Sequence, residues 1–431
     1  MKKLLIISDY FAPDNEIAAV RLTKIAKYLV LSGYIVDVLR RGNSGRKEDP
    51  LLKRDLIYFN KIYFNYNSGI FNFIYNKLFV IPVNNQKIIS KRQKYKLLIN
   101  KNNFFILLKN NILAILYELI NYNYFKYFTS NLKIKFNEYS IVFSSYGPMS
   151  SHFIGDYIKK KSKNIFWIAD FRDNVGNNSN IPLLIKYYRK YLEKRIVNKA
   201  DMITIATSEC CCRKSSKIHV IPNGYDIDDF VMPNYNGKNK KFIISYTGTM
   251  YNGMCDLLIF FKIISELIDD GIISYNEIEI KYLGRDSDIF LRQAKIFSID
   301  KIIKNYGFVS RTESLNVQNN SNALILMAWN SFENKGVLTG KLYEYFMAKK
   351  PILCFISGNK INSELKKMIM ESKSGFCFEE ANFNNDYNIM KNYIKEIIFS
   401  WKKNKQIFYP DVEYIEKYNY KSIVNNILEL I

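Results

Sequence analysis

The sequence predicts an α/β protein of two doubly wound, Rossmann-like domains, each a parallel sheet covered by helices. Three observations predict it. At 431 residues the chain is too long for one ordinary core and divides naturally into two units of roughly 200 residues. Its opening residues read strand, helix, strand. After a turn-rich passage in the middle, a second series of strand and helix signals begins afresh.

The elements follow in order. "KLLIIS" from Lys3 is a buried strand, "VRLTKIAKYLVLSG" a helix closed by Gly33, and "YIVDVL" the next strand, which together make a βαβ unit. "SIVFSS" (140–145), "IFWIADF" (165–171) and "DMITIA" (201–206) continue the first sheet. "IPNGYDIDDFVMPNYNGKNKK" concentrates the chain breakers and reads as a connection between domains. "FIISYTG", "EIEIKYLG", "ALILM" and "PILCF", each trailed by a helical segment, form the second sheet. The expected domains are 1–215, with a basic, aromatic-rich insert at about 53–135, and 216–400. The tail, 401–431, is expected to be helical and to pack back on the first domain.

Composition narrows the class. With 48% hydrophobic and 24% charged residues the chain is not disordered, and no apolar stretch is long enough to cross a bilayer. The run Leu4–Ile7 is shorter than a signal-peptide core, so a cytoplasmic location is expected. Cys210, Cys211 and Cys212 are adjacent, while Cys255, Cys354 and Cys377 are scattered, which makes neither a disulfide framework nor a metal pattern. With only His152 and His219 as histidines, no zinc site is expected.

The net charge of +23 calls for a negatively charged partner or surface. Residues 53–135 hold fourteen Lys and Arg against Asp55 and Glu118, about half of the excess. In the same stretch, positions 104, 108, 112, 115 and 119 fall on one helical face. That face is either an interfacial amphipathic surface or the core side of a helix with a solvated basic face. An anionic inner membrane surface is the partner that the first reading implies, with Lys91, Arg92, Lys94 and Lys96 among its contacts.

Ligands of open parallel sheets bind at the carboxyl ends of strands, which directs attention to the loops there. In "TGKLYEYF", Thr339 can cap a helix whose free N–H groups at Gly340 suit a phosphate, and Lys341 adds a positive charge. Glu344 lies one turn further in, where a carboxylate either accepts hydrogen bonds from the vicinal hydroxyls of a ribose or interacts with the helix dipole. In "DFRD", Asp170 and Asp173 flank Arg172 directly after a strand, as an internal salt bridge or a ligand site. "DID" (226–228) and "DSD" (286–288) read as turn chemistry, and His152 as a buried structural histidine.

The segments "DYFAPDNEIAAVRLTKIAKYL", "SSYGPMSSHFIGDYIKKK", "FWIADFRD", "IHVIPNGYDIDDF", "ISYTGTMYNG", "YGFVSRTESL" and "GVLTGKLYEYFMAKKPIL" occur in an order that resembles family 4 glycosyltransferases of the GT-B fold, of the bacterial cell-surface polysaccharide type. The resemblance covers nearly the whole chain apart from 55–137. It implies two Rossmann-like domains facing a cleft. It also implies a retaining, metal-independent transfer from a nucleotide-diphosphate sugar, with UDP as the expected carrier, to a lipid-linked glycan acceptor, without a cofactor or nucleic acid. Donor contacts would then fall on Gly248, Thr249, Gly284, Arg285, Phe308, Val309, Gly340, Lys341, Leu342 and Glu344. Acceptor contacts would fall on Ala18, Ala19, Arg21, Tyr146 and His152, and catalytic work on Asp170, Arg172 and Asp173. The sequence departs from the family at Gly336, where a first glutamate is frequent, at Ala18 and Ala19, which replace two glycines, and near Asp170, where a histidine is usual. A nucleotide-sugar epimerase of the same fold, a non-catalytic partner subunit and a basic binding protein are the rival readings.

Overall fold

The computed structural model describes residues 2–42, 46–79, 104–173, 175, 182–208, 210, 215–230, 240–250, 254–332, 338–405 and 407–431. Lys91, Arg92, Lys94, Lys96, Cys211, Cys212 and Gly336 lie outside the described residues. The chain divides into two compact units, residues 1–222 with 423–431, and residues 223–422.

In the first unit the strands are β1 (Lys3–Ser8), β2 (Ile35–Arg41), β3 (Lys61–Asn65), β4 (Ile141–Ser145), β5 (Phe166–Phe171), β6 (Met202–Ile205) and β7 (Ile218–Val220). They form one parallel sheet in the order β3-β2-β1-β4-β5-β6-β7. The second unit holds β8 (Phe242–Thr247), β9 (Ile278–Leu283), β10 (Ile303–Gly307), β11 (Ala323–Trp329), β12 (Ile352–Ser357) and β13 (Gly375–Glu379). These are parallel too, in the order β10-β9-β8-β11-β12-β13. Each sheet starts at its centre, grows to one side and then returns to the other. The order therefore reverses between β1 and β4 and between β8 and β11, and these switch points are where a doubly wound sheet opens a crevice at its carboxyl ends.

Sequence and packing agree where strands are central. β4 and β8 are buried at every residue, as a strand covered on both faces must be. Trp167 on β5 is fully buried beneath the helix Ser150–Lys161. A Cβ on Gly155 would strike its indole, so the glycine is what lets that helix approach the sheet. The helix Ile17–Leu31 ends as expected, with Gly33 in the left-handed region at φ +93°.

The structure adds four strands that the sequence pattern did not reveal, β3, β7, β10 and β13, and all four are sheet edges. A second difference concerns the helix Phe104–Asn131. It packs on the first sheet through Ile120, Tyr124 and Phe128 and leaves the face of Ile112, Ile115 and Leu119 about half exposed. That face is not the core side of the helix; the side chains at 104 and 108 lie outside the described set. Among the described residues no helix is long and apolar enough to cross a membrane. Asp226 takes a turn role, accepting from the Asp228 N–H at 3.1 Å. Asp286 departs from the turn expectation: it accepts from the distant Met250 N–H at 2.9 Å and so joins the loops after β8 and β9.

Candidate functional site

In the second unit the loop after β8 carries Gly248 and the exposed Thr249. Gly248 adopts φ +150°, and a Cβ there would strike the side chain of Lys341. A Cβ at Gly284, after β9, would strike the carbonyl of Gly248. The missing side chains thus bring two strand-end loops and a lysine together at one switch point. Lys341 stands in the first turn of the helix Gly340–Ala348, capped by Thr339, whose hydroxyl accepts from the Lys341 N–H at 3.2 Å. Burial lowers the Lys341 ammonium from the ordinary lysine range, opposed by the nearby charge of Glu344 and assisted by that of Arg311. Leu342 faces the core.

Glu344 is one turn on, with its side chain 22% exposed. Gln318 donates to its Oε2 at 3.0 Å and also to the Thr247 hydroxyl at 2.9 Å. Arg311 places Nε 3.6 Å from Glu344 Oε1 while donating through Nη1 to Asp229 at 2.9 Å. The carboxylate is therefore oriented from one side and still reachable. Nearby in the same unit, the Arg285 guanidinium stacks 4.2 Å over the ring of Phe308, which is 47% exposed, with Val309 beside it. A flat cation and ring of this kind suit a planar ring system.

Arg311 and Gln318 were not singled out from the sequence. The available signal was Ser310 three residues before Glu313, a capping pair that starts the helix Arg311–Asn319. From that start Arg311, Ser314 and Gln318 recur at helical spacing and share the face turned to Glu344.

In the first unit Asp170 closes β5 and is fully buried. Arg21 grips it with Nη2 to Oδ1 at 2.8 Å and Nε to Oδ2 at 3.4 Å, and Ser145 and Thr204 donate to it at 2.8 Å each. Arg21 also donates to the carbonyls of Pro222 and Ile221 at 2.7 and 2.8 Å. Burial pushes the Asp170 carboxyl up, but the Arg21 charge and the three donors outweigh it and hold it below the usual carboxylate range.

Arg172 and Asp173 stand differently. Arg172 donates to the carbonyls of Ala18 at 3.1 Å and Gly147 at 3.3 Å, and its guanidinium lies 4.9 Å from the ring of Tyr10. It thereby ties together the loops after β1, β4 and β5. Asp173 receives its Nε at 3.3 Å and has a side chain 69% exposed. Ala18 and Tyr146 are half-buried beside this knot, whereas Ala19 and Arg21 are buried.

His152 is fully buried, stacks near Tyr146 and Phe171, and shares a 2.8 Å hydrogen bond with Ser144, which also accepts from the Trp167 indole. Burial lowers its imidazole to about 3 against the opposing charge of Asp170, so the ring is neutral near pH 7. The expectation of a structural histidine matches this environment.

A buried ionic network behind the loop after β1 was not anticipated. Asp9 accepts from Arg41 and from Arg46, the latter at 3.0 Å, and Asp14 accepts from Arg46 at 2.9 Å and Arg40 at 2.6 Å. The Arg41 guanidinium lies 4.2 Å from the rings of Tyr75 and Tyr124, and Arg46 lies 3.9 Å from that of Tyr10. Tyr10 is thus held between Arg46 and Arg172, which fixes the loop that carries it.

No family model and no curated protein sequence matches the chain. Solved structures do. Sucrose-phosphate synthase from Thermosynechococcus elongatus is 12% identical with a TM-score of 0.57, covering 100% of this chain and 98% of its own. The lipopolysaccharide outer core galactosyltransferase WaaB is 14% identical with a TM-score of 0.54, covering 100% of both chains. Staphylococcus aureus TarM, solved as a point mutant in complex with Fondaparinux, α-GlcNAc-glycerol and UDP, is 11% identical with a TM-score of 0.54, covering 100% and 99%. A putative UDP-N-acetylglucosamine 2-epimerase from Listeria monocytogenes is 11% identical with a TM-score of 0.51, covering 99% of this chain and 95% of its own. With its two parallel α/β sheets of seven and six strands and these neighbours, the chain has the two-domain GT-B fold.

Proposed function

We propose that the protein is a retaining glycosyltransferase that moves a sugar from a nucleotide-diphosphate sugar to a polyprenyl-linked bacterial surface glycan, such as a capsule or O-antigen precursor, at the inner face of the cell membrane. The observation that carries this reading is Glu344, a partly exposed carboxylate oriented by Gln318 and Arg311 one turn inside a helix whose start meets Lys341 and Gly248. Ribose hydroxyls would donate to Glu344, and the diphosphate would lie at the Gly340 helix start with Lys341. An arriving phosphate would restore the charge that burial disfavours on that lysine. Arg285, Phe308 and Val309 would face the base, with Thr249 and Gly284 lining the way. TarM was solved with UDP, which supports a UDP-linked donor here.

In the transfer the bond from the anomeric carbon to the leaving phosphate oxygen breaks, a bond to the acceptor oxygen forms on the same face, and the leaving phosphate takes the acceptor proton. Lys341 and the helix start stabilise the charge on the leaving group. Arg172, Asp173, Ala18 and Tyr146 would meet the acceptor. Asp170, Arg21, Ala19 and His152 lie behind them and act as positioning residues. The resemblance implies that no metal is needed.

The likeness to epimerases favours a second reading, conversion of the nucleotide-sugar itself. Incubation with a panel of nucleotide-sugars, with and without polyprenyl-linked acceptor, separates the two when the lipid products are weighed by mass spectrometry and the nucleotide-sugars are resolved by proton NMR, since an epimer has the mass of its substrate. Transfer yields free nucleotide diphosphate and a heavier lipid only when acceptor is present. An isomerised sugar formed without acceptor would establish the epimerase, and nucleotide binding without turnover would leave a non-catalytic partner.

A further inference from the structure

The helix Leu183–Lys199 of the first unit exposes five large apolar side chains, Leu183, Leu184, Tyr187, Tyr188 and Tyr191, to between 42 and 81%. At about 100° per residue they fill one face of about 140°. The opposite side, Leu192, Ile196 and Val197, packs into the first core. A surface helix whose buried side is already satisfied has no structural reason to carry a second apolar face.

A neighbouring helix repeats the arrangement. On Phe104–Asn131, Ile112, Ile115, Leu119 and Tyr122 recur at intervals of three and four residues and are about half exposed. The two helices are fastened together by Arg189, which donates to Glu118 at 2.7 Å. Burial, and after it the charge of Glu118 on the other helix, raises the Tyr188 phenol above its ordinary range, so the two apolar stripes adjoin. Around them the first helix carries Lys186, Arg189, Lys190, Lys194, Arg195 and Lys199 against the single acid Glu193.

We propose that these paired helices form the surface by which the protein lies on an anionic bilayer, with the Tyr and Leu side chains at headgroup depth and the lysines on lipid phosphates. This rests on the membrane-borne acceptor of the reading above, and it moves the contact from the 53–135 stretch alone to a surface shared with 183–199. Tyrosine suits such a place, because its ring is apolar and its hydroxyl remains among polar groups. Lysine stems lie along apolar surface while their ammonium groups reach the phosphates. A second copy of the chain fits less well: at +23 per chain, pairing these basic faces sets like charges together, whereas an anionic bilayer attracts them, even though Arg189, Arg195 and Lys199 already pair with Glu118 and Asp156.

The test uses the full chain and sedimentation with vesicles of phosphatidylcholine containing about 30 mol % phosphatidylglycerol at about 0.1 M salt. Combined Leu184→Ser, Tyr187→Ser and Tyr191→Ser should weaken vesicle binding by about tenfold or more. UDP affinity by calorimetry should stay that of the unaltered chain, since these side chains contact solvent. Separately, Tyr191→Trp should give blue-shifted emission on vesicles and quenching by brominated lipid, which adhesion through lysines alone would not produce. Vesicle binding unchanged in the triple variant, absence of vesicle binding by the unaltered chain, or a dimer in sedimentation velocity that the triple variant abolishes would each overturn the proposal. UDP binding without vesicle binding would overturn this surface and leave the glycosyltransferase reading standing. Vesicle binding with no sugar transfer in the product assay would do the reverse.

Discussion

Two carboxylates stand behind the carboxyl ends of the two sheets, and they are not equivalent. Asp170 in the first unit is fully buried, and its oxygens are taken by Arg21, Ser145 and Thr204. Glu344 in the second unit is 22% exposed and is held from one side by Gln318 and Arg311. A carboxylate with every acceptor position filled is part of the scaffold, and one left partly open can receive a ligand. The comparison separates two kinds of consequence. Damage at Asp170 should register as stability, and damage at Glu344 as affinity.

The largest effect expected is at Asp170. Asp170→Ala leaves the guanidinium of Arg21 buried beside a vacated position, and loss of one partner of a buried pair costs about 3 to 5 kcal/mol. Urea unfolding should show that loss in full. Because the native carboxyl lies below its unfolded value, its contribution is present above about pH 4 and disappears as pH falls through the native value. A variant with unaltered stability and abolished transfer would return Asp170 to direct contact with substrate.

Glu344→Gln is expected to have the opposite profile. Replacing the ionised acceptor removes a charge-assisted hydrogen bond to ribose, worth roughly 1.5 to 3 kcal/mol of nucleotide affinity, while the amide still fits beside Gln318 and Arg311. Calorimetry with UDP and urea unfolding of the same variant give the two halves of the answer. Unchanged affinity with reduced stability would make Glu344 a second scaffold carboxylate and erase the contrast.

The contrast also explains what was legible beforehand. The nine strands recognised from sequence are the interior ones: β4 and β8 are continuous buried runs, as coverage on both faces favours, and β9 alternates buried Ile278, Ile280 and Tyr282 with Glu279 and Lys281. Three of the four edges lack such a run: β3 reads KIYFN with its first residue exposed, β7 has three residues, and β10 reads IKNYG; β13, GFCFE, is apolar but short. At the site, Gly248, Gly340, Lys341 and Glu344 were accessible to reasoning because each follows a strand or opens a helix. Arg311 and Gln318 were not, since they reach Glu344 only when the helix Arg311–Asn319 is laid beside Gly340–Ala348. Nor could "DFRD" say which acid is buried. An internal ion pair and a ligand site share that pattern; in the fold the pair within the motif is Arg172 with the exposed Asp173 at 3.3 Å, while Asp170 turns inward to Arg21.

His152 gives the smallest and most specific way to sharpen the same comparison, because it belongs to the buried scaffold beside Asp170. Its native imidazole titrates near about 3, whereas the unfolded side chain titrates near about 6.5. Between those values the unfolded chain binds a proton that the native chain does not. Stability must therefore fall as pH is lowered below about 6.5, by about 1.4 kcal/mol per pH unit from this group once the unfolded ring is mostly protonated. The direction is opposite to that of a histidine stabilised by a carboxylate partner: Asp170 lies close enough to oppose the shift, but burial exceeds it. Carboxylates add their own slope in acid, so the measurement is a difference. Urea unfolding between about pH 6 and pH 5 should show a shallower loss in His152→Gln than in the unaltered chain, by about 1 kcal/mol over that interval. His219 is the only other histidine and is present in both proteins. Equal slopes would mean that the His152 ring takes up its proton in the native state at its ordinary pH. The surroundings of His152 would then be open to water, and the first unit's strand ends would resemble the second's in being an accessible site.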